Sequence, residues 1–157
     1  MRLQLLMVGK TRNVAYHQEI VEYRRRLSRY LVCDVKEIRE EKPGRRETPA
    51  AFCRRQGPRL LGEFNKTPGL KLLLDERGRS LGSRDFALFL QRILQGGHQN
   101  LVFFCGGPFG YDPSLRKAAD HLISLSPMTF PHELARLLLF EQLYRALTII
   151  NNEPYHY

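Results

Sequence analysis

LVFFCGGPFGY, residues 101–111, sets the architecture of the chain. Leu101, Val102, Phe103, Phe104 and Cys105 follow one another without a polar break, which suits a strand covered on both faces. Gly106-Gly107-Pro108-Phe109-Gly110 then makes a glycine loop, closed by Tyr111. A strand followed by such a loop lets a ligand approach the backbone closely, because glycine has no Cβ. The spacing is neither GxGxxG nor GxxxxGK[ST], so a standard dinucleotide fold and a P-loop ATPase both lose support. By itself GGxxG is more often a tight turn.

Outward from this strand the chain alternates. Upstream, short apolar runs at residues 2–8 and 70–75, and a partly alternating segment at 31–38, read as strands. Between them lie helical patterns. In residues 13–30, Tyr16, Ile20, Tyr23, Leu27 and Tyr30 recur at spacings of four and three and make one amphipathic stripe. Thr48-Pro49 is a cap followed by a first-turn proline, and opens a helix to about residue 64 that Gly57-Pro58 should weaken or kink. Ser83 is placed to cap a helix running to Gln95, which Gly96-Gly97 ends. Downstream, Asp112-Pro113 opens a short helix, residues 121–125 form a fifth strand, and a last helix follows Pro131. Strict alternation argues an α/β domain with a mainly parallel sheet and helices on both faces. In such sheets ligands bind beyond the carboxyl ends of the strands. Leu74-Asp75, Cys105-Gly106 and Leu125-Ser126 mark those ends, so three loops should converge on one edge.

The 157 residues carry 25 Lys and Arg against 16 Asp and Glu, a formal net charge of +9. Such a balance points to a polyanionic partner, nucleic acid by default, with a solvated basic surface as the bland alternative. Arg24, Arg25, Arg26 and Arg29 on the first helix, and Arg45 and Arg46 in a charged loop, are the candidate phosphate contacts. Cys33, Cys53 and Cys105 are odd in number and none has CxxC spacing, so neither a disulfide framework nor a zinc site is indicated and a reducing cytosol fits. No HExxH or paired Cys/His spacing suggests a metal, and no GxSxG suggests a serine hydrolase. No signal peptide is visible, and no window reaches the length of a membrane span.

The carboxyl-terminal third is unusual. Leu134, Leu137, Leu138, Leu139, Phe140, Leu143, Leu147 and Ile150 leave the last helix almost no wet face, so it should be buried and should supply a homodimer interface. Glu141 and Arg145 stand four residues apart and can pair. The tail NNEPYHY is aromatic and ionisable, which makes it either a packing plug or part of a site.

The start LQLLMVGK, the loop GGPFG, the run LSPMTFPHELARLLLFEQLYRA and the end NNEPYH together resemble the RlmH family of the SPOUT superfamily, over the whole chain. The resemblance implies a single-domain, homodimeric, cytoplasmic enzyme with a SPOUT-type α/β knot, a deep trefoil knot in its carboxyl-terminal part. It implies transfer of a methyl group from S-adenosyl-L-methionine to N3 of pseudouridine 1915 in helix 69 of 23S rRNA, on the assembled ribosome. By match to the family pattern, Leu74 lies at the first cofactor loop and Gly106 at the second, where it would allow close approach. Leu125, Ser126, Pro127, Met128, Thr129 and Phe130 form the third. Arg145, Tyr155 and His156 would form the target-nucleotide pocket, with His156 the best single candidate for the base. The methyl donor carries its own reactivity, so no metal is implied. Two positions depart from the family pattern. Tyr157 stands where many members have a basic residue, and Phe109 where a polar one is common. A basic RNA-binding α/β module without turnover is the runner-up. A flavodoxin-like or nucleotide-binding enzyme of small molecules is third, disfavoured by the charge and by the missing phosphate-loop signature.

Overall fold

The computed structural model of the chain describes residues 1–155. Five strands and five helices alternate: β1 (Arg2–Val8), α1 (Val14–Leu27), β2 (Val32–Ile38), α2 (Pro49–Lys66), β3 (Leu70–Ser80), α3 (Ser83–Gln95), β4 (Asn100–Cys105), α4 (Pro113–Ala118), β5 (His121–Ser124) and α5 (His132–Ile150). The sheet has the order β2-β1-β4-β3-β5, and every neighbouring pair is parallel.

Side chains alternate across a strand, and the apolar runs are divided accordingly. On one face Leu3, Leu5 and Met7 of β1, with Leu101, Phe103 and Cys105 of β4, meet the buried residues of α1, α3 and α5. On the other face Leu6, Val8, Val102 and Phe104 meet Leu60 and Phe64 of α2 and Leu115 of α4. Both faces are covered, as continuous apolar strands require.

Four local expectations are corrected. β3 runs to Ser80, past the apolar run that ended at Asp75. Leu74 and Arg79 both pair with Ile123, so residues 75–78 bulge between two paired stretches of one strand. At Gly78 a Cβ would lie 2.6 Å from the backbone of Leu122 and Ile123, which is why glycine stands there. α2 is unbroken through Pro58, because Phe52, Cys53, Gln56, Leu60 and Phe64 keep one face buried along its length. Gly57 admits a close neighbour: a Cβ there would lie 2.8 Å from the Asp112 side chain. The cap of α3 is Gly82 rather than Ser83, whose hydroxyl donates to Gln142 of α5 at 3.0 Å. α1 ends at Leu27 and its arginines are not equivalent. Arg25 and Arg26 both pair with Glu22 at 2.8 and 2.9 Å, whereas Arg24 and Arg29 form no ion pair among the described residues.

α5 packs against both α1 and α3. Its buried set includes Arg136, Leu139, Phe140, Leu143, Tyr144 and Leu147, while Leu134, Leu137, Leu138, Glu141 and Arg145 remain half-exposed on one stripe. Arg136 is 1% exposed. It donates to the carbonyls of Val8 and, at 3.2 Å, of Gly9, and so ties the end of β1 to the first turns of α5. Among the described residues no helix is long and apolar enough to cross a membrane.

Candidate active site

The carboxyl ends of β3, β4 and β5 do converge. They enclose a cleft of about 400 Å³, floored by the glycine loop and walled by residues 124–130 and the start of α5. Leu74, Gly106, Leu125, Ser126, Met128, Thr129 and Phe130 all line it, whereas Pro127 is not among its lining residues. The third loop takes its shape from serines. Ser124 Oγ donates to the Ser126 carbonyl at 2.9 Å, and Ser126 Oγ accepts the Met128 N–H at 2.9 Å, a side-chain turn of the kind serine favours. Proline at 127 continues that turn, which explains its presence without a ligand. Met128 is 74% exposed and Phe130 36%, two large apolar side chains at the rim of a cleft. An exposed apolar rim of this sort is what a flat aromatic ligand would cover.

The glycine loop differs in one respect from its expected use. Gly106 does admit a close neighbour, but that neighbour is Tyr111. A Cβ at Gly106 would lie 2.7 Å from the Tyr111 ring. The Gly106 N–H donates to the Tyr111 hydroxyl, which in turn donates to the Phe104 carbonyl at 3.2 Å. Burial pushes the Tyr111 phenol well above its ordinary pKa, so it stays a donor. The loop is thus folded back on its own strand, and Gly110 closes it with a φ of +79°. Phe109 lines the cleft while its ring meets Phe52 of α2 edge-on at 5.1 Å, so the family-atypical residue serves packing and rim at once.

Sequence reasoning passed over three polar groups here. Asp75 is buried and receives Arg116 Nε at 2.7 Å and the Arg77 N–H at 2.9 Å. Both partners of that ion pair line the cleft. The available signal was a carboxylate at the end of a buried strand. His132, the first residue of α5, also lines the cleft. Its pKa is lowered, first by burial and then by the charge of Arg136, so the imidazole is held neutral.

The other predicted site residues stand at the opposite end of α5. Arg145 Nε donates to Glu141 Oε1 at 2.9 Å, the expected pair, and this bond raises the guanidinium pKa further. The guanidinium lies 4.9 Å from the Tyr155 ring centroid, and Tyr155 meets Tyr144 edge-on at 4.8 Å. Arg145 and Tyr155 are therefore together. His156 lies outside the described residues. Neither Arg145 nor Tyr155 lines the cleft. His132 and Arg145 are thirteen positions apart on one helix, about 20 Å of rise. The structure brings the residues expected at the cofactor loops together, Pro127 apart, and Arg145 with Tyr155, but not the two groups with each other. Among the described residues no cluster of three or more His, Cys, Asp or Glu could hold a metal ion.

An all-parallel α/β sheet with a nucleoside-sized cleft beyond its carboxyl strand ends belongs to the class of proteins that bind a small cofactor at that edge. The family model described as "Predicted SPOUT methyltransferase" matches residues 1–156. The chain is 47% identical over 157 residues to the ribosomal RNA large subunit methyltransferase H of Geotalea daltonii, covering the whole of both chains. It is 40% identical to a protein of the same name from Porphyromonas gingivalis, covering all of this chain and 99% of the relative. A third, from Parabacteroides distasonis, is 38% identical over 158 residues with the same coverage. The chain belongs to the SPOUT methyltransferase family, in the branch of these methyltransferase H relatives.

Proposed function

We propose that the chain is an S-adenosyl-L-methionine-dependent methyltransferase of large-subunit ribosomal RNA, acting in the cytoplasm on N3 of pseudouridine 1915 in helix 69 of the assembled ribosome. The observation that carries the reading is the cleft. Its apolar walls, Leu74, Leu125, Met128 and Phe130, suit an adenine ring, and its shape comes from backbone turns rather than from a metal or a phosphate loop. The net charge of +9 suits a polyanionic substrate. The names of the relatives supply the rRNA class.

The donor supplies an electrophilic methyl on a sulfonium, and the chain's own residues do the rest. The target N3 is an imide nitrogen and carries a proton near neutral pH. As the N3–methyl bond forms and the sulfur–methyl bond breaks, that proton must leave and the developing imide charge must be met. Arg145 is a permanent cation held by Glu141, and so serves the charge rather than the proton. Tyr155 flanks it. His156 is the candidate base. Because the cleft and the tail lie at opposite ends of α5, a second copy of the chain is what would bring a tail to a cleft. We assign the homodimer on that ground and on the half-exposed leucine stripe of α5. A single knotted domain completes the proposal, in keeping with α5 packed between α1 and α3.

A methyl-transfer assay on intact ribosomes, isolated large subunits and naked rRNA tests the reading. Product on assembled ribosomes alone is expected. Product on none of the three, with no calorimetric signal for the donor, would leave a basic RNA-binding module instead. His156→Ala should abolish transfer while dimer and donor binding persist; near-normal methylation would remove His156 from the chemistry.

A further inference from the structure

The tail of the described chain is a built element rather than a frayed end. α5 closes with Asn152 at a φ of +55°, the left-handed residue that ends many helices. The Asn152 N–H donates to the Ile149 carbonyl at 3.1 Å and the Glu153 N–H to the Thr148 carbonyl at 2.9 Å. This paired closure reverses the chain and lays residues 153–155 against α1. Two side chains receive it, one from α1 and one from the turn after α1. Tyr30 donates to Glu153 Oε2 at 2.6 Å. The Tyr23 and Tyr155 hydroxyls are 3.3 Å apart. The direction of that last bond follows from proton counting. Tyr155 has one hydroxyl proton and gives it to Glu141 Oε1 at 3.4 Å, so Tyr23 donates to Tyr155. Burial raises the pKa of both the Tyr23 and the Tyr30 phenol, which keeps them donors.

Tyr23 lies on α1 and Tyr30 in the turn that follows it, and both rings face Tyr144 of α5. Core packing asks only for their rings: Tyr144 meets the Tyr23 and Tyr30 rings at 5.9 and 6.2 Å between centroids. The hydroxyls are a separate feature, and each is aimed at the tail. We propose that Tyr23 and Tyr30 are positioning residues that act through Glu153 and Tyr155. From α1 and the turn after it they fix residues 153–155, and through them the approach of the tail to a substrate base. The inference rests on the assignment of the tail to the target nucleotide made above.

Tyr23→Phe, Tyr30→Phe and the double variant test it in the full chain, since phenylalanine keeps the packed rings. Amide hydrogen exchange at Glu153 and Tyr155 should quicken roughly fivefold for each hydroxyl removed, the loss of one ordinary hydrogen bond. On ribosomes kcat should fall with the same rank order, while donor affinity by calorimetry stays at the parent value. Tyr30→Phe combined with Glu153→Ala should cost no more kcat than the worse single change, because the two act as one unit. Unchanged exchange in the double variant would overturn the anchoring outright. Faster exchange with parental kcat and KM would overturn the positioning role and leave only a structural contact. A parent inactive on ribosomes, together with faster exchange in the variants, would sink the functional reading while the anchoring stands.

Discussion

At its amino end α5 starts beside a cleft made of turns: two serines bonding backbone, a glycine loop folded onto its own strand, and apolar side chains at the rim. At its carboxyl end the same helix meets a network made of side chains, in which Glu141 gathers Arg145 and Tyr155 while α1 and the turn after it supply Tyr23 and Tyr30. Backbone turns tolerate many side chains. Side-chain networks fix charge and direction. The contrast also predicts that the two ends can be damaged separately.

The largest effect should come from Arg136, which anchors the cleft end. Arg136→Ala leaves the Val8 and Gly9 carbonyls without their donor and opens a cavity in the core, at a cost of about 3–5 kcal/mol. Urea unfolding should show the fall in midpoint; a loss below about 1 kcal/mol would mean that water replaces the guanidinium without penalty. Next is Gly106→Ala. Its new Cβ would stand 2.7 Å from the Tyr111 ring, whose hydroxyl is bonded to Gly106 and Phe104, so about 1–3 kcal/mol is expected. Donor affinity should weaken with it, while hydrogen exchange in the tail keeps its parental rate. An equal disturbance at both ends would break the comparison.

Much of this was legible in the sequence, and the exceptions share a cause. β1 and β4 were found near their observed bounds because a strand covered on both faces is a plain apolar run, and the edge strand β2 from its partial alternation. β3 was cut short because residues 75–78 are polar, and its pairing with β5 resumes only after the bulge. No local period reports a partner that far along the chain. Arg136 is a charged residue in an apolar helix and is among its most buried, since what it satisfies lies at Val8 and Gly9. The convergence of three loops followed from the strand-end rule, and Glu141 with Arg145 from helical spacing. Tyr23 and Tyr30 were read as members of a core stripe. Periodicity counts rings and is silent about where hydroxyls point.

Smaller changes sharpen the tail end. Glu141→Gln weakens the acceptor shared by Arg145 and Tyr155 and should cost about 1 kcal/mol of stability, given that both groups are partly exposed. Its signature is kinetic: methyl transfer should drop well beyond what the stability loss explains, with donor affinity unchanged by calorimetry. Asn152→Gly should be neutral or slightly stabilising, and Asn152→Ala should cost about 1 kcal/mol, because only the former accepts a φ of +55° freely. If both replacements behave alike in thermal unfolding, the left-handed closure is not what holds the tail.

The smallest effect is a pH dependence confined to the cleft end. The folded pKa of His132 lies below its ordinary value of 6.5, through burial first and the Arg136 charge second. In the window between the folded value and 6.5, the unfolded chain binds a proton that the folded chain refuses. Stability contributed by the neutral imidazole is therefore fully present above 6.5 and is lost as pH falls through the folded value. His132→Asn should flatten that part of the stability–pH curve and leave the curve above it unchanged. Proton NMR of the His132 ring should show a midpoint below 6.5 in the parent, rising toward 6.5 if Arg136 is replaced by a neutral residue that still folds. A parental midpoint at or above 6.5 would show that the charges of Glu133 and Glu40 outweigh burial and Arg136, and the cleft end would then lack a pH dependence of this sign.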